Sequence, residues 1–91
     1  MSYNSVPPTP KYNTIEEVTF HHNSLVWSAC FSPNGQNVIT GSQDGTAKLW
    51  DLNGNLLYNF GHAAAVKFAL FSPNGKKIII VCADHTARLL R

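Results

Sequence analysis

Short apolar runs separated by turn-forming residues fill the chain from position 26 onward. "VWSACF" (26–31) and "VKFALF" (66–71) are rich in β-branched and aromatic residues, which suit a pleated, half-buried surface. Each is followed by Ser-Pro-Asn-Gly, in which proline presets φ and Asn-Gly supplies the left-handed positions of a hairpin turn. "NVITGS" (37–42) and "KIIIVC" (77–82) come next, then the turns "QDG" (43–45) and "ADH" (83–85). "TAKLWD" (46–51) leads through Asn53-Gly54 into "NLLYNF" (55–60), and "TARLLR" (86–91) is its counterpart. No stretch carries an apolar face at helical period. The pattern predicts an all-β chain of successive hairpins.

The runs repeat at an offset of forty. Between 20–51 and 60–91, 14 of 32 positions are identical without a gap, Phe20/Phe60, His22/His62, Asp44/Asp84 and Leu49/Leu89 among them. The copies are therefore one structural unit used twice. By the same offset "TIEEVTF" (14–20) aligns with "GNLLYNF" (54–60), an outer strand. Residues 1–13 differ: Pro7, Pro8 and Pro10 exclude a strand ladder and predict a flexible, Pro-rich arm.

Composition narrows the function classes. The 91 residues are 44% hydrophobic and 13% charged, which is globular rather than disordered. The longest apolar run, "IIIVCA" (78–83), is far too short for a membrane helix. With no charged and apolar leader at the start, a soluble cytoplasmic protein without membrane partners is expected. Cys30 and Cys82 lie in apolar runs and read as small buried hydrophobes. The net charge is +2, and Lys76, Lys77, Arg88 and Arg91, even with Trp27 as a stacking residue, are too sparse for a nucleic-acid surface. His21, His22, His62 and His85 lack any convergent ligand spacing, so no metal or cofactor is expected.

The forty-residue period, Gly61-His62, the two Ser-Pro-Asn-Gly turns, "SQDGTAKLWD" (42–51) and Trp50-Asp51 resemble the WD-repeat β-propeller family over residues 14–91, and their wording suggests a bacterial, cyanobacterial member. The resemblance implies a structural hydrogen-bond network of His22, Thr40, Asp44 and Trp50 in the first repeat. In the second, Ile80 and Leu90 replace the hydroxyl and the indole, which leaves a His62–Asp84 pair. A hydrolase built on Thr40, His22 and Asp44 is the competing reading; the network explains the same residues and includes Trp50, so no enzyme is expected. The resemblance also implies top-face binding positions at Leu25, Trp27, Gln43, Ala65, Lys67 and Ala83, suited to a protein or peptide partner.

The expected organisation is an arm (1–13), an outer strand (14–20), a first repeat (21–60) and a second repeat (61–91) lacking its own outer strand. Two blades cannot close a propeller, whose rings take ~4–8. The expectation is a homo-oligomeric ring in which residues 14–20 complete a neighbour's blade, the Velcro closure that the resemblance implies. Ile15, Val18 and Phe20 of one copy would meet Thr86, Arg88 and Leu90 of the next. Four copies are favoured over three. The alternative is a fragment of a larger propeller completed by another chain.

Overall fold

The computed structural model describes residues 16–62 and 64–91. The arm, Thr14 and Ile15 lie outside them. Among the described residues seven strands form: β1 Val26–Phe31, β2 Asn37–Ser42, β3 Thr46–Asp51, β4 Leu56–Gly61, β5 Val66–Phe71, β6 Ile78–Cys82 and β7 Ala87–Leu90. They make two antiparallel meanders, β1-β2-β3-β4 and β5-β6-β7. The turn chemistry explains the register. In each Ser-Pro-Asn-Gly turn the asparagine Oδ1 accepts from the serine hydroxyl and from the backbone N–H two residues on, at 2.7–3.0 Å. Gly35 and Gly75 then take φ of 72° and 74°.

The core is the seam between the sheets. Ile39 and Ala47 of the first sheet bury against Val66, Ala69, Ile78, Ile80 and Cys82 of the second, with Leu49, Phe60, Phe71 and Leu90 at the margin. Cys30 and Cys82 are free thiols, Cys82 within this cluster. Period-two alternation places Ile39, Ala47 and Leu49 toward the second sheet and Val38, Thr40 and Trp50 on the opposite face. Gly41 permits the close approach: a Cβ there would stand 2.8 Å from Val66 Cγ1 and 3.2 Å from Val66 O. The far face of the second sheet stays open, with Phe68, Leu70, Ile79 and Leu89 all exposed.

Residues 16–20 form no strand within the single chain. They run instead beside the first sheet. The Phe20 ring packs on Trp50 at a centroid distance of 5.2 Å and a tilt of 47°, and Val18 sits against Gly54 in the β3–β4 turn. An extended segment becomes a strand only where an edge accepts its backbone bonds, and this face of the first sheet offers side chains rather than an edge.

Candidate functional site

Two clusters contain the polar residues singled out by sequence. The first lies on the outer face of the first sheet. Trp50 Nε1 donates to Thr40 Oγ1 at 2.9 Å, and Thr40 Oγ1 lies 2.6 Å from His22 Nε2. His22 Nδ1 lies 3.1 Å from Asp44 Oδ2. Strand pairing sets this geometry: Thr40 and Trp50 share one face of adjacent strands, while Asp44 caps the β2–β3 turn. Sequence reasoning missed two members. Thr46 donates its backbone N–H (2.9 Å) and its hydroxyl (2.5 Å) to Asp44 Oδ1, and Asn23 N donates to Asp44 Oδ2 at 3.0 Å. The Asp-Gly-Thr spacing of an Asx-type turn was the signal for Thr46. Burial would raise the Asp44 pKa, but the bonds from Thr46, Asn23 and His22 outweigh it and hold the carboxyl well below the usual carboxylate range.

Thr40 is 2% exposed and its hydroxyl already holds an indole and an imidazole, so the arrangement fixes a fold rather than presenting a nucleophile. Every hydrogen-bonding group is spent on a neighbour.

The second repeat departs from the expected His62–Asp84 pair. His62 makes no hydrogen bond to Asp84, and its buried Nε2 has no partner among the described residues. Asp84 instead accepts from the backbone N–H and hydroxyl of Thr86 and lies 3.9 Å from Arg88 Nη2. The physical reason is the missing hydroxyl: Ile80, fully buried, stands where Thr40 would receive the ring. With no anchor on its far side, the imidazole is not drawn toward the carboxylate. Burial, then the nearby Arg88 charge, lower the His62 pKa against the opposing pull of Asp84.

The second cluster occupies one end of both sheets. β1 and β5 each carry a bulge at the same place, between Val26 and Ser28 and between Val66 and Phe68. The extra residues are Trp27 and Lys67. A bulge re-aims its side chain away from the pleat alternation. Trp27 is 46% exposed, donates its indole N–H to Gln43 Oε1 at 2.9 Å, and has Lys67 Nζ 5.1 Å from its ring centroid. Gln43 N bonds Leu25 O at 2.8 Å, and Ala83 N bonds Ala65 O at 2.9 Å. The six positions named from sequence thus share one end of the two sheets, with Leu25 exposed. Trp27 bridges the two sheets at the surface rather than packing wholly between them. The bulges were invisible in the apolar pattern.

His21 and His85 are exposed, and no group of three metal-ligating side chains gathers among the described residues. Of the closure residues, Val18 and Phe20 lie along the first sheet, while Arg88 and Leu90 lie on β7 and Thr86 just before it.

Antiparallel meanders that repeat at forty residues and pack face to face have the arrangement of β-propeller blades. The WD domain, G-beta repeat family matches residues 13–51 and 54–90, and the chain belongs to that family. It is 46% identical over 55 residues to nuclear distribution protein PAC1 of Candida albicans, covering 55% of this chain and 11% of that protein. It is 45% identical over 42 residues to the mRNA export factor of Sus scrofa, covering 46% of this chain and 11% of that protein. The chain spans about a tenth of the length of these curated relatives. Neither relative supports the bacterial type expected from the wording of the repeats.

Proposed function

We propose that these two blades form part of a non-catalytic WD-repeat ring that binds a protein or peptide at the end carrying Trp27, Gln43 and Lys67. The observation that carries this reading is the paired bulge, which turns an aromatic ring and an ammonium outward side by side. A half-exposed, hydrogen-bonded tryptophan gives contact area at little entropic cost, and Lys67 favours an acidic or carboxylate-bearing ligand. Peptides selected from a displayed library on the assembled protein should lose binding in Trp27→Ser and Lys67→Ala. Peptides that bind both variants undiminished would sink the assignment.

The open face of the second sheet requires further blades. In the finer reading, copies of this chain supply them. Shifting the β3–β4 register by forty residues would pair Ala87 with Phe20, Leu89 with Val18 and Leu90 with Glu16 of a neighbour. Glu16 and Glu17 would then approach Lys76 and Arg91, which line a groove of about 710 Å³ with Tyr58, Phe60 and Leu90. Opposite charge supports this pairing. A second reading, favoured by the small share of its relatives that the chain spans, completes the ring with blades of another chain. Light scattering coupled to size exclusion separates them. A mass of three or four protomers, lost in Arg91→Glu, supports self-assembly; a single-protomer mass rejects it and leaves the second reading standing.

A further inference from the structure

The sequence holds three Asn-Gly pairs, at 34–35, 53–54 and 74–75. We infer that, of these three, the structure leaves Asn53 alone open to spontaneous conversion to aspartate and isoaspartate. The chemistry is intramolecular. The backbone nitrogen of Gly54 attacks Cγ of Asn53, the new N–C bond forms, the Cγ–Nδ2 bond breaks and ammonia leaves with the amide proton. Water then opens the cyclic imide at either carbonyl, giving aspartate or the β-linked isomer. Glycine favours this step because no side chain shields its nitrogen. The reaction therefore depends on two freedoms: rotation of the asparagine side chain and release of the glycine N–H.

Asn34 and Asn74 lack both. Asn34 Oδ1 is held by Ser32 Oγ (2.7 Å) and Gln36 N (2.9 Å), and Asn74 Oδ1 by Ser72 Oγ (2.8 Å) and Lys76 N (3.0 Å). The next nitrogens are also engaged, Gly35 N with Ser32 O at 2.9 Å and Gly75 N with Ser72 O at 2.8 Å. Asn53 is exposed at the tip of the β3–β4 turn, and its side chain makes no hydrogen bond among the described residues. Gly54 N bonds Asp51 O across 3.3 Å, the longest of the three equivalent contacts. The turn itself is organised by Asp51, which accepts from the backbone nitrogens of Asn53 and Asn55, not by the Asn53 side chain.

The position gives the modification a consequence. Gly54 abuts Val18, whose Cγ1 lies 3.0 Å from where a Cβ on Gly54 would stand. A β-linked residue at 53 adds a methylene to the backbone and a carboxylate to the tip. It lengthens the turn against which residues 16–20 lie and so loosens their seat on the first sheet. The inference does not depend on what completes the ring.

The test incubates the full chain in mildly alkaline buffer, folded and in urea, and follows each asparagine by peptide mass mapping, with isoaspartate methylation as a second readout. Asn34 and Asn74 must each break two side-chain hydrogen bonds that Asn53 does not make, so Asn53 should convert at least about tenfold faster in the folded protein. The three rates should converge in urea. Ser72→Ala should speed Asn74 while Asn34 in the same molecule stays slow, and Asn53→Gln should remove the dominant product. Equal rates at the three sites in the folded chain, or an unchanged Asn74 in Ser72→Ala, overturn the inference.

Discussion

Trp50 on β3 donates its indole N–H to the Thr40 hydroxyl on β2 across 2.9 Å, both residues buried on the same face of the first sheet. This bond ties the sequence signature Trp-Asp to the imidazole of His22, because the same hydroxyl lies against His22 Nε2. Thr40→Val keeps the shape and β-branching while removing the hydroxyl. It leaves an indole N–H and an imidazole nitrogen buried without partners, each costing ~1–3 kcal/mol. The expected loss is about 2–6 kcal/mol, read as a lower urea midpoint with an unchanged slope. In a double-mutant cycle with Trp50→Phe the two losses should overlap rather than add. Full additivity would show that the bond contributes nothing of its own.

The pH dependence has two separable phases. His62 has a lowered pKa, so the unfolded chain binds its proton first and stability falls as pH drops below the ordinary value of 6.5. Asp44 has a depressed pKa, so its contribution is complete above the ordinary 3.8 and is lost as pH falls from there toward its lower folded value. The urea midpoint should therefore decline in both windows. His62→Gln should flatten the upper decline only, and Asp44→Asn should reduce the lower only, the remainder belonging to Asp51 and Asp84, whose carboxyls are also depressed. A pH profile of His62→Gln parallel to that of the parent chain contradicts the assignment.

The meanders were legible in sequence because the Ser-Pro-Asn-Gly turns and β-branched runs each specify local geometry without help from the rest of the fold. The Thr40–His22–Asp44–Trp50 arrangement was named through family resemblance, with strand register bringing its members together. Three features were not legible. The bulges at Trp27 and Lys67 depend on backbone pairing that no side-chain pattern records. Asn23 joins Asp44 through its backbone N–H alone, a group that every residue type but proline carries. His62 and Asp84 align with a bonded pair yet do not bond, because their geometry is set by the residue at position 80 rather than by their own identities.

That dependence can be tested by restoring the first repeat's chemistry in the second. Ile80→Thr places a hydroxyl where Thr40 stands relative to His22, and Leu90→Trp supplies the indole. The single change removes buried apolar surface from the seam and should cost ~1–3 kcal/mol. The double variant should recover about 1 kcal/mol of that loss as His62 Nε2 and the indole N–H both find the new hydroxyl. A histidine ring resonance with slowed exchange in the double variant alone is the accompanying signature. A double variant no better than the sum of its parts would mean that the second blade has repacked around isoleucine and no longer admits the network.

His85 takes φ of 71° in the turn where the first repeat has Gly45 at 84°. A side chain in this left-handed region brings its Cβ close to the following carbonyl oxygen at a cost of ~1–2 kcal/mol, which glycine avoids. Glycine also loses more freedom on folding, by ~0.5–1 kcal/mol. Relief of the strain outweighs that entropy loss, so His85→Gly should stabilise the β6–β7 hairpin by about 0.5–1 kcal/mol. His85 is exposed and forms no hydrogen bond among the described residues, so little is lost with the imidazole. The reverse exchange, Gly45→His, should cost more than the first gains. Its Cβ would meet His62 O at 3.0 Å, a backbone atom at the seam between the blades that cannot move aside cheaply. Urea midpoints of the two variants measured side by side check both signs, and a destabilised His85→Gly would show that the second turn has relaxed into a geometry that suits histidine.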